Sequence, residues 1–146
     1  MASLAFELRE AFYNVLRSID FKIDTTAILT GAGQPPGIYD RVPQERAGGG
    51  SLFPCVVIGV RVATESNTDD TIGQSVITRI HTHSRSGSSK EVEYMQDAIY
   101  EALRDVTFVL TDWDMLMIDR EQSDITEIAE GRFQGTCEYR TLLTEQ

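Results

Sequence analysis

The chain has 146 residues, with 13 Lys and Arg against 23 Asp and Glu, a net charge of −10. Such a length makes one domain and hides about 68–70% of the unfolded surface, enough for a self-sufficient core. A domain this acidic lacks the basic footprint of phosphate binding, which excludes a grip on nucleic acid. The imbalance is uneven: residues 111–146 hold nine acids and three Arg, net −6, and residues 1–110 hold 14 acids and ten bases, net −4. Alone, this acidity reads as a soluble surface whose copies repel one another.

Glu7, Arg9 and Glu10 fall where a secretory signal carries its apolar core, so no signal is expected. The longest apolar run, Leu52–Val60, contains Pro54 and Gly59 and falls far short of the ~20 residues of a membrane helix. Cys55 and Cys137 form no CxxC pair and are expected to be reduced, intracellular thiols that pack as small hydrophobes.

In chain order, Leu4, Leu8, Ala11, Phe12, Val15, Leu16 and Ile19 recur at helical spacing. They predict an amphipathic helix from Leu4 to Ser18, with Ser3 as N-cap. Phe6 and Tyr13 lie off that stripe, either as a second contact surface or as two scattered surface aromatics. Asp24 is expected to cap a short helical turn over Ala27–Leu29 that stops at Gly31. Pro35-Pro36-Gly37 breaks the chain, Ile38–Val42 reads as a short extended piece before Pro43, and Ala47–Ser51 reads as a flexible glycine loop.

Val56, Ile58, Val60 and Val62 alternate on one strand face. A second strand, Ser75–Arg85, places Val76, Thr78, Ile80 and Thr82 on one face and Ile77, Arg79, His81 and His83 on the other. The two predict a long hairpin with an oversized polar tip. Ser88 and Glu91 form a capping-box pattern before Val92, Met95, Ile99, Ala102, Leu103 and Val106, the second helix. Two more strands are expected near Met115–Arg120 and Arg132–Leu143, the last with Phe133, Cys137, Tyr139 and Leu143 on its apolar face. The order is αββαββ. It predicts a single α+β domain, two helices packed on one face of a mostly antiparallel four-stranded sheet.

No catalytic constellation emerges. His81-x-His83 puts two imidazoles on one strand face. Arg79 and Arg85 share that face and would repel a cation, so no metal is expected. Asp69-Asp70 and Asp112-x-Asp114 lie in loop-like sequence without a partnering Lys or His and read as solvated charge. There is no G-x-S-x-G, no catalytic Cys context and no phosphate-binding fingerprint around Gly31-Ala32-Gly33. The chain is expected to be no enzyme and to carry no cofactor. What remains are two long polar segments, Arg41–Phe53 and Thr64–Gln74. Segments of that length in a compact domain are functional or disordered, and partner binding is the reading adopted for both.

Ile38-Tyr39-Asp40-Arg41-Val42-Pro43, Phe53-Pro54-Cys55-Val56-Val57-Ile58-Gly59, Gly73-Gln74 and Ser84-Arg85 follow in a telling order ahead of Lys90-Glu91 and Ala98–Leu103. Together they resemble the tail terminators of tailed bacteriophages, also called tail-to-head joining or tail-completion proteins. The likeness spans Leu4 to Leu143. Two departures are the Arg46–Ser51 glycine insertion and Thr82-His83, where relatives often place bulkier apolar residues. The resemblance implies a homohexameric ring in the virion neck, assembled in the host cytoplasm without a membrane. It implies a tail tube protein and a head-connector or stopper protein as partners, with genomic DNA passing through the ring unbound. Candidate assembly contacts are Arg41, Arg46, Phe53, Glu65, Asn67, Asp69, Asp70 and Gln74. The competing readings are another neck component, such as a head-completion or stopper protein, and an unrelated acidic interaction domain. Under the ring reading, the acids of 111–146 mark the first place to look for a surface lining the bore.

Overall fold

The computed structural model describes residues 4–43, 51–65 and 72–146, the side chains of 60–65 excepted. Helix α1 (Leu4–Leu16) turns Leu8, Phe12 and Leu16 inward on successive turns, and all three are fully buried. It stops short of Ser18 because Ser18 N and Oγ both donate to the Val15 carbonyl, at 3.2 and 2.7 Å. That tightens the last turn and satisfies a carbonyl the helix leaves open.

The helical turn expected over Ala27–Leu29 does not form. Instead β1 (Lys22–Ile23) and β2 (Thr26–Ala27) make a tight antiparallel hairpin. Asp24 adopts a left-handed φ of 55°, a conformation its short polar side chain tolerates. The turn lets Ile28 N donate to the Phe21 carbonyl at 2.9 Å, and both side chains are buried.

The extended piece before Pro43 is a strand, β3 (Gly37–Tyr39), parallel to β4 (Cys55–Glu65). The main sheet therefore has five strands, not four, in the order β3-β4-β5-β7-β6. The predicted long hairpin is formed by β4 and β5 (Gly73–Ser84). Its ladder reaches Glu65 opposite Gln74, so Thr64, Glu65, Gly73 and Gln74 are strand residues, not loop. The alternation of β5 follows the sequence: Val76, Thr78, Ile80 and Thr82 are buried beneath the helices, and Ile77, Arg79, His81 and His83 lie on the opposite face. Val56 and Ile58 are buried likewise, while the side chains of Val60 and Val62, flanking a register shift, lie outside the described residues.

Helix α2 (Lys90–Leu103) buries Val92, Met95, Ile99 and Leu103. The capping box is not made. Ser89 is the N-cap and its side chain makes no capping bond. Glu91 instead accepts a hydrogen bond from Ser84 Oγ at 2.8 Å. Gly87, at φ 87°, turns the chain so that its N–H meets the Gly131 carbonyl at 3.3 Å, tying the start of α2 to the far hairpin.

That hairpin is the largest departure. β6 runs from Trp113 to Ala129 and pairs with β7 (Arg132–Glu145) throughout, far beyond Met115–Arg120. Three register shifts interrupt it, and most of its side chains are exposed on both faces. An edge strand of this kind shows no two-residue alternation to read. On β7, Cys137, Tyr139, Thr141 and Leu143 are buried under the helices. α1, α2 and one face of the sheet thus enclose a single core, with Phe12 edge-on to Phe108 at 5.0 Å. Cys55 and Cys137 are both buried and neither is in a disulfide, and burial raises the Cys137 thiol pKa. No helix among the described residues is long and apolar enough to cross a membrane.

Candidate assembly surfaces at the two ends of the sheet

The β4–β5 ladder extends from Cys55 opposite His83 to Glu65 opposite Gln74. At about 3.3 Å per residue the two ends stand roughly 30 Å apart. Phe53 belongs to the first end and Glu65 and Gln74 to the second, so the two candidate segments cannot share one contact. They mark two surfaces.

The first end is a groove of about 280 Å³ whose lining includes Val42, Pro43, Phe53, His83, Arg85, Ile128, Arg132 and Phe133. The chain bends at Asp40–Arg41, which carries Val42 and Pro43 to Phe53. Arg85 stacks on the Phe53 ring with its guanidinium carbon 4.0 Å from the centroid. His83 meets the same ring edge-on at 6.1 Å. Arg85 and Arg132 bring positive charge to an apolar floor, a pairing suited to aromatic and carboxylate groups. Burial, and then the neighbouring His81, hold the His83 pKa below its usual 6.5. His81 Nδ1 lies 3.1 Å from Gln134 Nε2 and 3.1 Å from Thr136 Oγ1. Across the same face Arg79 holds Glu138 at 2.7 Å and Arg140 holds Glu121 at 3.2 Å. The arginines are thus engaged by carboxylates or an aromatic ring, and among the described residues no group of three ligating side chains is placed to hold a metal.

The second end differs in sign. Ile72, Val109, Leu116 and Met117 are exposed beside Asp112 and Asp114. The Ile72 carbonyl accepts from Glu145 N at 2.8 Å, and Gln146 N donates to the Asp112 carbonyl at 3.0 Å. These bonds lock the end of β7 to both neighbouring segments and hold the apolar residues in place. One end of the sheet is therefore apolar and cationic, the other apolar and anionic.

The family of tail completion protein gp17 matches residues 23–144. The chain belongs to that family. The resemblance read in the sequence is thereby confirmed, and the protein is a structural component of a phage-type tail. A solved chain described as "Virion of native gene transfer agent (GTA) particle" shares the fold, at a TM-score of 0.74 and 16% identity over 99% of both chains. No curated protein matches the sequence.

Within this tail completion family member, the candidate contacts fall as follows. Arg41 is exposed at the bend after β3, and Phe53 is half-buried in the first-end groove. Glu65 ends β4 and Gln74 is half-buried opposite it. Arg46, Asn67, Asp69 and Asp70 lie outside the described residues. Sequence reasoning missed Arg85, Arg132 and Phe133 as contact residues. Arg85 entered as the end of a strand, a charge against metal binding and part of the Ser84-Arg85 resemblance, and Phe133 as a residue of an apolar strand face, neither as a contact. The groove forms across the end of β5 and the turn between β6 and β7, which no local spacing reveals. The acids of 111–146 do not gather on one face: Asp114, Asp119, Glu121, Asp124 and Glu127 run along β6, and the others lie at the sheet ends and on β7.

Proposed function

We propose that the protein caps the head-proximal end of the tail tube as a homohexameric ring. It ends tube polymerisation there and offers a docking face to the head connector. The observation that carries this reading is the unlike chemistry of the two sheet ends. Tube growth uses head-to-tail contacts, which continue as long as each new subunit presents the same pair of matching faces. A ring with one face that fits the tube and another that does not stops growth without catalysis, metal or cofactor.

DNA passes through such a ring. Six copies at −10 each carry −60, and like charge keeps phosphates from adhering within about 8–10 Å at physiological salt. A strongly acidic net charge suits such a conduit.

Deleting the gene and imaging lysates tests the reading. Overlong or irregular tails unattached to filled heads are the expected result. Tails of normal length lying beside unjoined heads would contradict termination and place the protein on the head side.

A further inference from the structure

We infer that neighbouring subunits join through opposite edges of the sheet: the Arg and aromatic stripe of α1, beside β3, receives the acidic edge strand β6 of a second copy. This rests on the ring reading and names the surfaces that would close it.

The receiving face is built on one helical stripe. Phe6, Arg9, Tyr13 and Arg17 recur at spacings of three and four, on the side of α1 away from its buried row. Phe6 is 48% and Tyr13 37% exposed. Arg9 lies over the Phe6 ring at 6.0 Å and Arg17 over Tyr13 at 5.7 Å, so each guanidinium is held beside an aromatic ring. Arg9 and Tyr13 line a hollow of about 310 Å³ with Ile38 and Tyr39 of β3. Glu10 and Asp40 are the acids of that hollow, and exposed Arg41 stands just beyond it. Aromatic residues and arginine are the side chains enriched at protein interfaces.

The delivered face is the opposite edge of the same sheet. Asp119, Glu121, Asp124 and Glu127 are exposed along β6. Glu121 already holds Arg140, Arg120 is drawn over the Tyr100 ring at 4.2 Å, and Glu127 lies opposite Phe133 on the other face. That leaves Asp119 and Asp124, on the face of Arg140 and Thr136, to meet a neighbour. Asp119 to Asp124 spans roughly 16 Å of strand, and Phe6 to Arg17 about 16 Å of helix, so the two surfaces match in length. The bulges of β6 break a flat run of backbone donors and acceptors, which disfavours strand pairing and leaves side chains to make the contact.

The charges also set the symmetry. The acidic edge repels its own copy, so a two-fold dimer through β6 is opposed. Edge to opposite edge is a head-to-tail contact, the kind that closes into a ring.

Two measurements on assembled tails test this. Charge reversal in Arg9→Glu/Arg17→Glu is expected to lower the yield of joined particles on the order of a hundredfold, since like charges then face each other. Adding Asp119→Arg/Asp124→Arg to the same chain is expected to restore it. In an otherwise native chain, Tyr13→Cys with Asp124→Cys, bridged by a short bis-maleimide, is expected to give a ladder of cross-linked subunits. Cys55 and Cys137 are buried and do not compete. Circular dichroism of each purified variant confirms that it is folded. Full yield from the reversed chain, no rescue by the compensating pair, or no ladder from tails that carry rings would each overturn this interface while leaving the ring standing. Tails carrying single subunits would overturn the ring and this interface together.

Discussion

Phe12→Ala is expected to destabilise the fold by about 3–5 kcal/mol, the range for truncating a buried aromatic ring. Phe12 is fully buried, edge-on to Phe108 at 5.0 Å and tilted against Tyr139 at 6.5 Å. Its ring is where α1, the segment after α2 and β7 meet. Removing it takes away ring burial and two aromatic contacts, and leaves a cavity between a helix and a hydrogen-bonded sheet that closes poorly around it. Against a total of about 5–15 kcal/mol for a domain, the loss is a large fraction. Urea unfolding should show a lower midpoint with an unchanged slope. Exposed Phe6 supplies the control, since Phe6→Ala is expected to stay within about 0.5 kcal/mol of the native chain. A Phe12 variant losing less than about 1 kcal/mol would contradict this packing.

Gly135→Ala is expected to cost about 1–3 kcal/mol by overpacking, and to lower the thermal midpoint by about 3–10 °C. A Cβ at this position would lie 2.4 Å from Gln96 Nε2 and 2.5 Å from Val92 Cγ1. Val92 is buried on α2 with no room to withdraw. Gln96 can move only by giving up its bond to the Asp124 carbonyl, at 3.1 Å. That bond is one of the contacts by which α2 holds the edge strand β6, beside Arg120 over the Tyr100 ring at 4.2 Å. The substitution therefore acts twice, pushing α2 off β7 and releasing the strand that carries the acidic edge. Differential scanning calorimetry reads the first effect. Hydrogen exchange around Asp124 reads the second, with faster exchange expected. Native stability with unchanged exchange would contradict the close approach.

Much of the helix-and-hairpin frame was legible because those elements each have one wet side. α2 and β5 carry clean periods of 3.6 and 2. The buried row of β5 matches its period, and α2 buries Val92, Met95, Ile99 and Leu103 as expected, with Gln96 added, Ala102 only half-buried and Val106 beyond the helix end. β6 was cut short because an edge strand exposed on both faces, with three bulges, has no period to find. The β1–β2 turn was missed because Asp24 in a left-handed conformation makes a turn that its sequence shares with a helix cap. Glu91 followed the capping-box pattern, yet Ser84 in the folded chain offered it a better donor. The surfaces divide the same way. Phe53 stood out as part of a long polar segment, and Phe6 and Tyr13 as aromatics off the core stripe. Arg9 and Arg17 sit at helical spacing from both, so the α1 stripe was open to a closer reading. Arg85, Arg132 and Phe133 meet only through the fold, so their groove was not.

The most direct measurement adds the purified protein to polymerising tail tubes and follows tube length by electron microscopy. The account predicts that elongation stops once protein is added, with one ring at the head-proximal tip of each arrested tube. Tubes that lengthen at an unchanged rate in its presence would contradict termination, wherever on the particle the protein is then found.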